Sequence, residues 1–130
     1  MKHFNVAAAV FIENGKVFCA QRKDSGEAAK MWEFPGGKIE QGETPEEALV
    51  REIQEELLIK IRVEDFVTTV NHQYISFSIT MHAFICTILE GSITLTEHLD
   101  SRWLSVSELN SVEWAPADVP IVEKIRERMR

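Results

Sequence analysis

The chain has 130 residues, of which 45% are hydrophobic and 27% charged, and a formal net charge of −7. These values point to one globular domain over residues 1–130 and argue against a partner that is a nucleic-acid polymer, which needs clustered Lys and Arg. No run approaches the ~20 apolar residues of a membrane span, and the two cysteines lie in apolar runs, as buried thiols of a reducing compartment do.

In chain order, residues 4–12 form an apolar, β-compatible run that ends at Glu13-Asn14-Gly15-Lys16, where Asn-Gly signals a hairpin. The segment VAAAVFI after Lys2 passes straight into that hairpin, so it is read as a strand and not as a targeting segment. Residues 17–22 are the partner strand, and the polar residues 23–30, with Gly26, are expected as a flap beside a site. Met31-Trp32-Glu33-Phe34 is a short strand, followed by a turn framed by Gly36-Gly37 and Gly42. Residues 59–63 alternate with period two as a half-buried strand, and residues 66–89 read as two further strands joined near 73–76. Glu90-Gly91-Ser92 is a turn and residues 101–104 a short strand. Ser105 with Glu108 caps a short helix, and a terminal helix runs over residues 120–128. The pattern predicts an α/β sandwich, with a mixed sheet between helices.

The chemistry concentrates in GKIEQGETPEEALVREIQEELLI, residues 37–59. Thr44 is placed to cap a helix, with Pro45 at its first position and Glu47 at its third. Leu49, Ile53 and Leu57 recur every four residues and can pack on a core. Glu52, Glu55 and Glu56 stand at i, i+3 and i+4, within one sector of about 100°. Like charges that close repel, and a divalent cation with oxygen ligands offsets the repulsion; Mg²⁺ suits carboxylates best, and Mn²⁺ is an alternative. The competing reading is a solvated acidic helix face.

This stretch resembles the Nudix box, G-x5-E-x7-R-E-U-x-E-E-x-G-U with U aliphatic. Gly37, Glu43, Arg51, Glu52, Ile53, Glu55, Glu56 and Ile59 match. Leu58 stands where the box has its second glycine, just past the helix, where positive φ is common. The resemblance continues into the MutT branch through WEFPGGKIEQGETPEEALVREIQEE and the C-terminal WAPADVPIVEKI, and so covers nearly the whole chain. It implies a Nudix-type α/β/α sandwich. It also implies metal-dependent hydrolysis of a (deoxy)nucleoside triphosphate to monophosphate and pyrophosphate, as sanitation of the nucleotide pool. Oxidised guanine or cytidine-type nucleotides lead as substrates, in a cytoplasmic monomer or homodimer.

By the same resemblance, Glu55 and Glu56 are metal ligands, and Glu52 is either a ligand or the base for the attacking water. The Gly36 carbonyl adds a ligand. Arg51 orients the acids, Glu43 included, through a buried ion pair. Glu97 falls where such proteins carry a further metal-binding glutamate, although an exposed loop acid reads equally well. Arg22 matches a phosphate-contacting arginine or is a surface residue. Asp118 lies in the loop that reads the base: ionised it accepts from an amine such as N4 of cytosine, and protonated it donates. Phe34, Tyr74 and Phe77 stack on a base or belong to the core. His3, His72, His82 and His98 show no paired metal spacing and read as surface or strand residues, with His82 able to line a pocket. Two alternatives differ in class: a module that binds a nucleotide without hydrolysing it, and a hydrolase of another diphosphate such as ADP-ribose.

Overall fold

In the computed structural model, which describes residues 1–130, the first strand organises the sheet. Strand β1 (Lys2–Glu13) turns at Asn14-Gly15, both at positive φ, into β2 (Lys16–Gln21). Short strands β3 (Trp32–Glu33) and β4 (Gly36–Lys38) precede helix α1 (Pro45–Leu57). Two long strands follow, β5 (Lys60–Gln73) and β6 (Phe77–Glu90), then β7 (Asp100–Ser105). Two 3₁₀ turns, Val106–Ser111 and Pro116–Asp118, lead into α2 (Val119–Arg128).

The sheet is mixed. β1 pairs in parallel with β6 from Lys2 to Phe11 and antiparallel with β4 at Val6, Ala7 and Ala8. β5 lies antiparallel on the far edge of β6, while β2 pairs with the end of β1 and is flanked by β3 and β7. Because side chains alternate along a strand, β1 serves two cores at once. Ala7, Ala9 and Phe11 pack with Leu49, Ile53 and Leu57 of α1, and Ala8 and Val10 join Trp114 and Ile121, Val122 and Ile125 of α2. The result is an α/β/α sandwich, as the pattern predicts. The two cysteines are free and buried, and burial pushes each thiol up to about 12. No helix is long and apolar enough to cross a membrane.

Two elements depart from the sequence reading. Gly36-Gly37 is not part of a turn but strand β4, pressed against β1 so closely that a Cβ on Gly36 would sit 1.9 Å from the Ala7 carbonyl oxygen. Residues 59–63 are not a separate strand: β5 runs on to Gln73, with irregular register at Val63, Phe66 and Thr68 where the strand bulges.

The start of α1 follows its sequence signals. The Thr44 hydroxyl accepts from the Glu47 N–H at 3.1 Å, and the Glu47 carboxylate accepts from the Thr44 N–H at 2.9 Å. At the other end, Leu58 adopts φ 56° and ψ 37°, the left-handed conformation a glycine would take freely. Its N–H still bonds the Gln54 carbonyl at 3.1 Å, and its side chain is half exposed, so little packing compensates for the backbone. The left-handed region costs a leucine roughly 1–2 kcal/mol. We expect Leu58→Gly to stabilise the fold by about 0.5–1 kcal/mol, the gain being reduced by the freedom glycine adds to the unfolded chain. Urea unfolding checks this, as a higher midpoint at unchanged slope.

Candidate active site

The last turn of α1 ends against the segment before β7. Helix C-termini leave carbonyls without partners, and here Thr94 N–H donates to Leu57 O at 2.9 Å and Thr96 N–H to Glu56 O at 3.1 Å. The Thr96 hydroxyl reaches Glu55 O at 2.9 Å and Glu56 O at 3.0 Å. This backbone junction, unmarked in the sequence, brings the exposed Glu97 to the acids of α1.

Arg51 gathers the first group of acids. Its Nε and Nη2 grip both oxygens of Glu43 at 2.8 and 2.9 Å, its Nη1 meets Glu52 at 2.8 Å, and Nη2 also donates to the Lys38 carbonyl at 3.0 Å. The Arg51 side chain is 27% exposed, so the ion pair is partly open, between the buried pair and the surface salt bridge that its sequence position allows. Its donation, aided by the Glu40 N–H, holds the Glu43 carboxyl down to about 2. Glu52 fits its place because Gly37 has no side chain: a Cβ there would lie 2.3 Å from the Glu52 carboxyl.

Glu56 is different. It is buried, its Oε2 has no hydrogen-bond partner, and it shares its surroundings with Glu33, Glu52 and Glu97. Burial first and those three acids next push its carboxyl up to about 9, against the Gly36 N–H, which favours the ionised form. A buried carboxyl among other carboxyls is stable only as the neutral acid or beside a cation. The oxygen-only donor set of Glu52, Glu55, Glu56, Glu97 and the Gly36 carbonyl has the chemistry of a hard divalent ion's ligands. No three acidic, imidazole or thiol side chains converge into a finished cage, and the Glu55 side chain is 61% exposed, 3.7 Å from Arg51. An ion would draw the acids together.

A cleft of about 430 Å³ runs from Glu56, Glu97 and Gly36 to Asp118, along the face of β1 and β6 that carries Val6, Ile79 and Met81. Glu33, which sequence reasoning missed, stands in it between Arg22 at 2.7 Å and His98 at 2.9 Å. Arg22 thus lines the cleft, but one nitrogen is engaged by Glu33 while its buried Nε is free. His98 is a correction: its side chain is only 5% exposed, it lines the cleft, and its Nδ1 is buried without a partner. His82 instead bonds Thr69 at 2.9 Å. The available signal was a charged Glu33 between Trp32 and Phe34, whose alternation turns it away from the core.

Asp118 is fully enclosed and accepts the Phe34 N–H at 2.9 Å. Burial first and the nearby Glu33 next raise its carboxyl well above the usual range, against the Phe34 N–H and Arg22, which favour the ionised form. Of the aromatic side chains, Phe77 lines the cleft, stacked at 4.9 Å on Tyr74, whose hydroxyl oxygen accepts from the Ala117 N–H at 3.2 Å. Phe34 is buried against Trp114, with ring centroids 4.9 Å apart, which leaves its ring little room to stack on a base.

Residues 6–124 match the NUDIX domain family. The chain is 37% identical over 123 residues to the CTP pyrophosphohydrolase of Escherichia coli K12, covering 95% of this chain and 91% of that protein. It is 33% identical over 127 residues to the 8-oxo-dGTP diphosphatase of the same organism, covering 97% and 98% of the two chains. It superimposes on the solution structure of a Nudix hydrolase from methicillin-resistant Staphylococcus aureus 252, described as the DNA mismatch repair protein MutT, with a TM-score of 0.79. Identity there is 43%, with 98% and 99% of the chains covered. The chain belongs to the Nudix hydrolase family. Hydrolases of this family generally need divalent metal ions.

Two outcomes follow from this geometry. Gly37→Ala should fold with a thermal midpoint near that of the parent while displacing the Glu52 carboxyl, lowering kcat by about tenfold or more, the scale of loss when a group that orients metal ligands is disturbed. Circular dichroism melts with single-turnover rates check it. The second outcome concerns pH. In metal-free protein, Glu56 keeps its proton when folded up to about 9, whereas the unfolded side chain releases it above 4.5. The unfolded state therefore binds fewer protons in that window, and stability falls as pH rises through it. Melting in EDTA should show this decline, flattened by Glu56→Gln and in part by Asp118→Asn.

Proposed function

We propose that the chain hydrolyses a (deoxy)nucleoside triphosphate to the monophosphate and pyrophosphate with Mg²⁺, as one domain spanning residues 1–130. The observation that carries this reading is the buried Glu56 carboxyl, with a partnerless oxygen, at the acidic end of a cleft of about 430 Å³. That volume lies in the range of pockets for ligands of nucleotide size.

Glu55, Glu56, Glu97 and the Gly36 carbonyl would hold the ion. Glu52 either completes its ligand set or takes the proton of the attacking water. A divalent ion here neutralises charge on phosphate oxygens and polarises the attacking water. Arg51, itself fixed by Glu43, sets the direction of Glu52. Arg22, with a free buried Nε, is placed to receive a phosphate oxygen, as its planar fork suits.

Where the cleft passes from the acids toward Asp118, Asp118 and Glu33 make a complementary pair. In its protonated form, which the raised carboxyl favours, Asp118 offers a hydroxyl donor beside the Oδ1 occupied by the Phe34 N–H, and Glu33 offers acceptor lone pairs. A base with an adjacent amine or N–H donor and an acceptor fits that pair. Cytosine presents N4–H₂ beside N3, and 8-oxoguanine presents N7–H beside O6. Phe77 supplies an aromatic wall, while Phe34 contributes through its N–H rather than its ring. Such substrates, and the similarity to pool-cleansing enzymes, support a sanitation role.

The test is pyrophosphate release, with Mg²⁺ and with EDTA, from CTP, dCTP, 5-methyl-dCTP, 8-oxo-dGTP, the ordinary triphosphates and ADP-ribose, the last scored by its monophosphate products. We expect Mg²⁺-dependent turnover favouring the cytidine forms or 8-oxo-dGTP, with kcat lowered about 100-fold or more in Glu56→Gln, the scale of a lost ligand contact. Mg²⁺ should also raise the melting midpoint of the parent protein and leave that of Glu56→Gln unmoved. Tight binding without product would mark a binding module instead.

A further inference from the structure

The residues 23–30 are expected as a flap, and the structure gives that flap a fastening. Its base is a pair of backbone bonds, Arg22 N–H to Met31 O at 2.8 Å and Lys30 N–H to Lys23 O at 3.0 Å. Gly26, Ala28 and Lys30 all have positive φ, at 73°, 62° and 62°. For Ala28 and Lys30 that conformation is strained, and such strain persists only where other contacts hold it.

Glu27 provides the contacts. Its Oε2 accepts the Ile75 N–H at 2.9 Å, and its Oε1 accepts the Ser76 N–H at 2.8 Å and the Ser76 hydroxyl at 2.6 Å. These donors belong to the tight turn between β5 and β6, closed by Tyr74 N–H to Phe77 O at 2.8 Å. One carboxylate therefore joins segments 48 residues apart. The donated hydrogen bonds, the Ser76 hydroxyl first, lower the Glu27 carboxyl from its usual value. Water could satisfy the same exposed donors, so the bridge serves to hold the loop in place more than to stabilise the fold as a whole. What it fixes is the cleft: Lys23, Ser25, Glu27 and Ala28 line it from the loop, and Tyr74 and Phe77 from the strand turn.

We propose that Glu27 is a positioning residue, a latch that ties the loop over residues 23–30 to the β5–β6 turn and so closes the base-binding end of the cleft over a bound nucleotide. This rests on the nucleotide reading of the cleft given above. The hydrogen bonds of Glu27 go to Ile75 and Ser76 and not to the acids of α1, so the latch acts on binding and release. Its loss should weaken nucleotide affinity and leave the chemical step alone.

The experiment uses the full chain with Mg²⁺ and a non-hydrolysable methylene analogue of CTP, together with kcat and KM on the best substrate found. Glu27→Ala should raise the analogue's Kd and the KM by about tenfold, the value of one charge-assisted hydrogen-bond set, with kcat within about twofold. Glu27→Gln, which keeps one acceptor, should fall between. Glu27→Ala combined with Ser76→Ala should be no worse than Glu27→Ala alone, since both break one link. Amide exchange at Ile75 and Ser76 should accelerate in Glu27→Ala without nucleotide. Unchanged Kd and KM despite that faster exchange would overturn the latch, as would unaltered exchange or a fall in kcat alone. Were the parent to hydrolyse no triphosphate, the proposed reaction would fall, while analogue affinity and exchange would still decide the latch.

Discussion

Negative charge crowded into one end of a cleft is the constraint from which most of this site follows. Burial first, and then the nearby Glu33, Glu52 and Glu97, push the Glu56 carboxyl up to about 9. Like charges at such separations cannot all be ionised without compensation. The fold compensates at the edges, with Arg51 on Glu43 and Glu52 and Arg22 on Glu33, and leaves Glu56 with a free oxygen. A divalent ion would suit that arrangement, because every candidate ligand is an oxygen.

Close backbone approach is the second requirement. β4 lies against β1 only because Gly36 has no Cβ to strike the Ala7 carbonyl, and Gly37 leaves the space in which the Glu52 carboxyl sits. Both glycines serve proximity, and neither is a turn residue here. The contrary case is Leu58, which accepts left-handed strain where a glycine would have none. The junction survives because Thr94 and Thr96 take up the helix's last carbonyls from outside the helix.

The opposite end of the cleft is built from hydrogen bonds between distant segments. Asp118 is tied to the Phe34 N–H, Tyr74 to the Ala117 N–H, and Glu27 to Ile75 and Ser76. The acids of α1 sit on a helix, whereas the Asp118 end of the cleft is assembled from loops and turns.

The sequence by itself determined the helix, its cap, its apolar stripe and the grouping of Glu52, Glu55 and Glu56, because those depend on spacing within a few residues. It also determined the Asn14-Gly15 hairpin and the turn between β5 and β6, through local turn chemistry and alternation, but not that β5 is one continuous, bulged strand. Only the tertiary structure decided which acids face one another. Glu97 arrives through the Thr94 and Thr96 bonds, and Glu33 and His98 meet because β2 pairs with both β3 and β7. It also decided that the Asp118 carboxyl is raised and that the Phe34 ring stacks on Trp114, since burial and neighbouring charge are properties of the assembled fold. Spacing along a chain fixes local geometry, while ionisation and partnership depend on what other segments bring within a few ångströms.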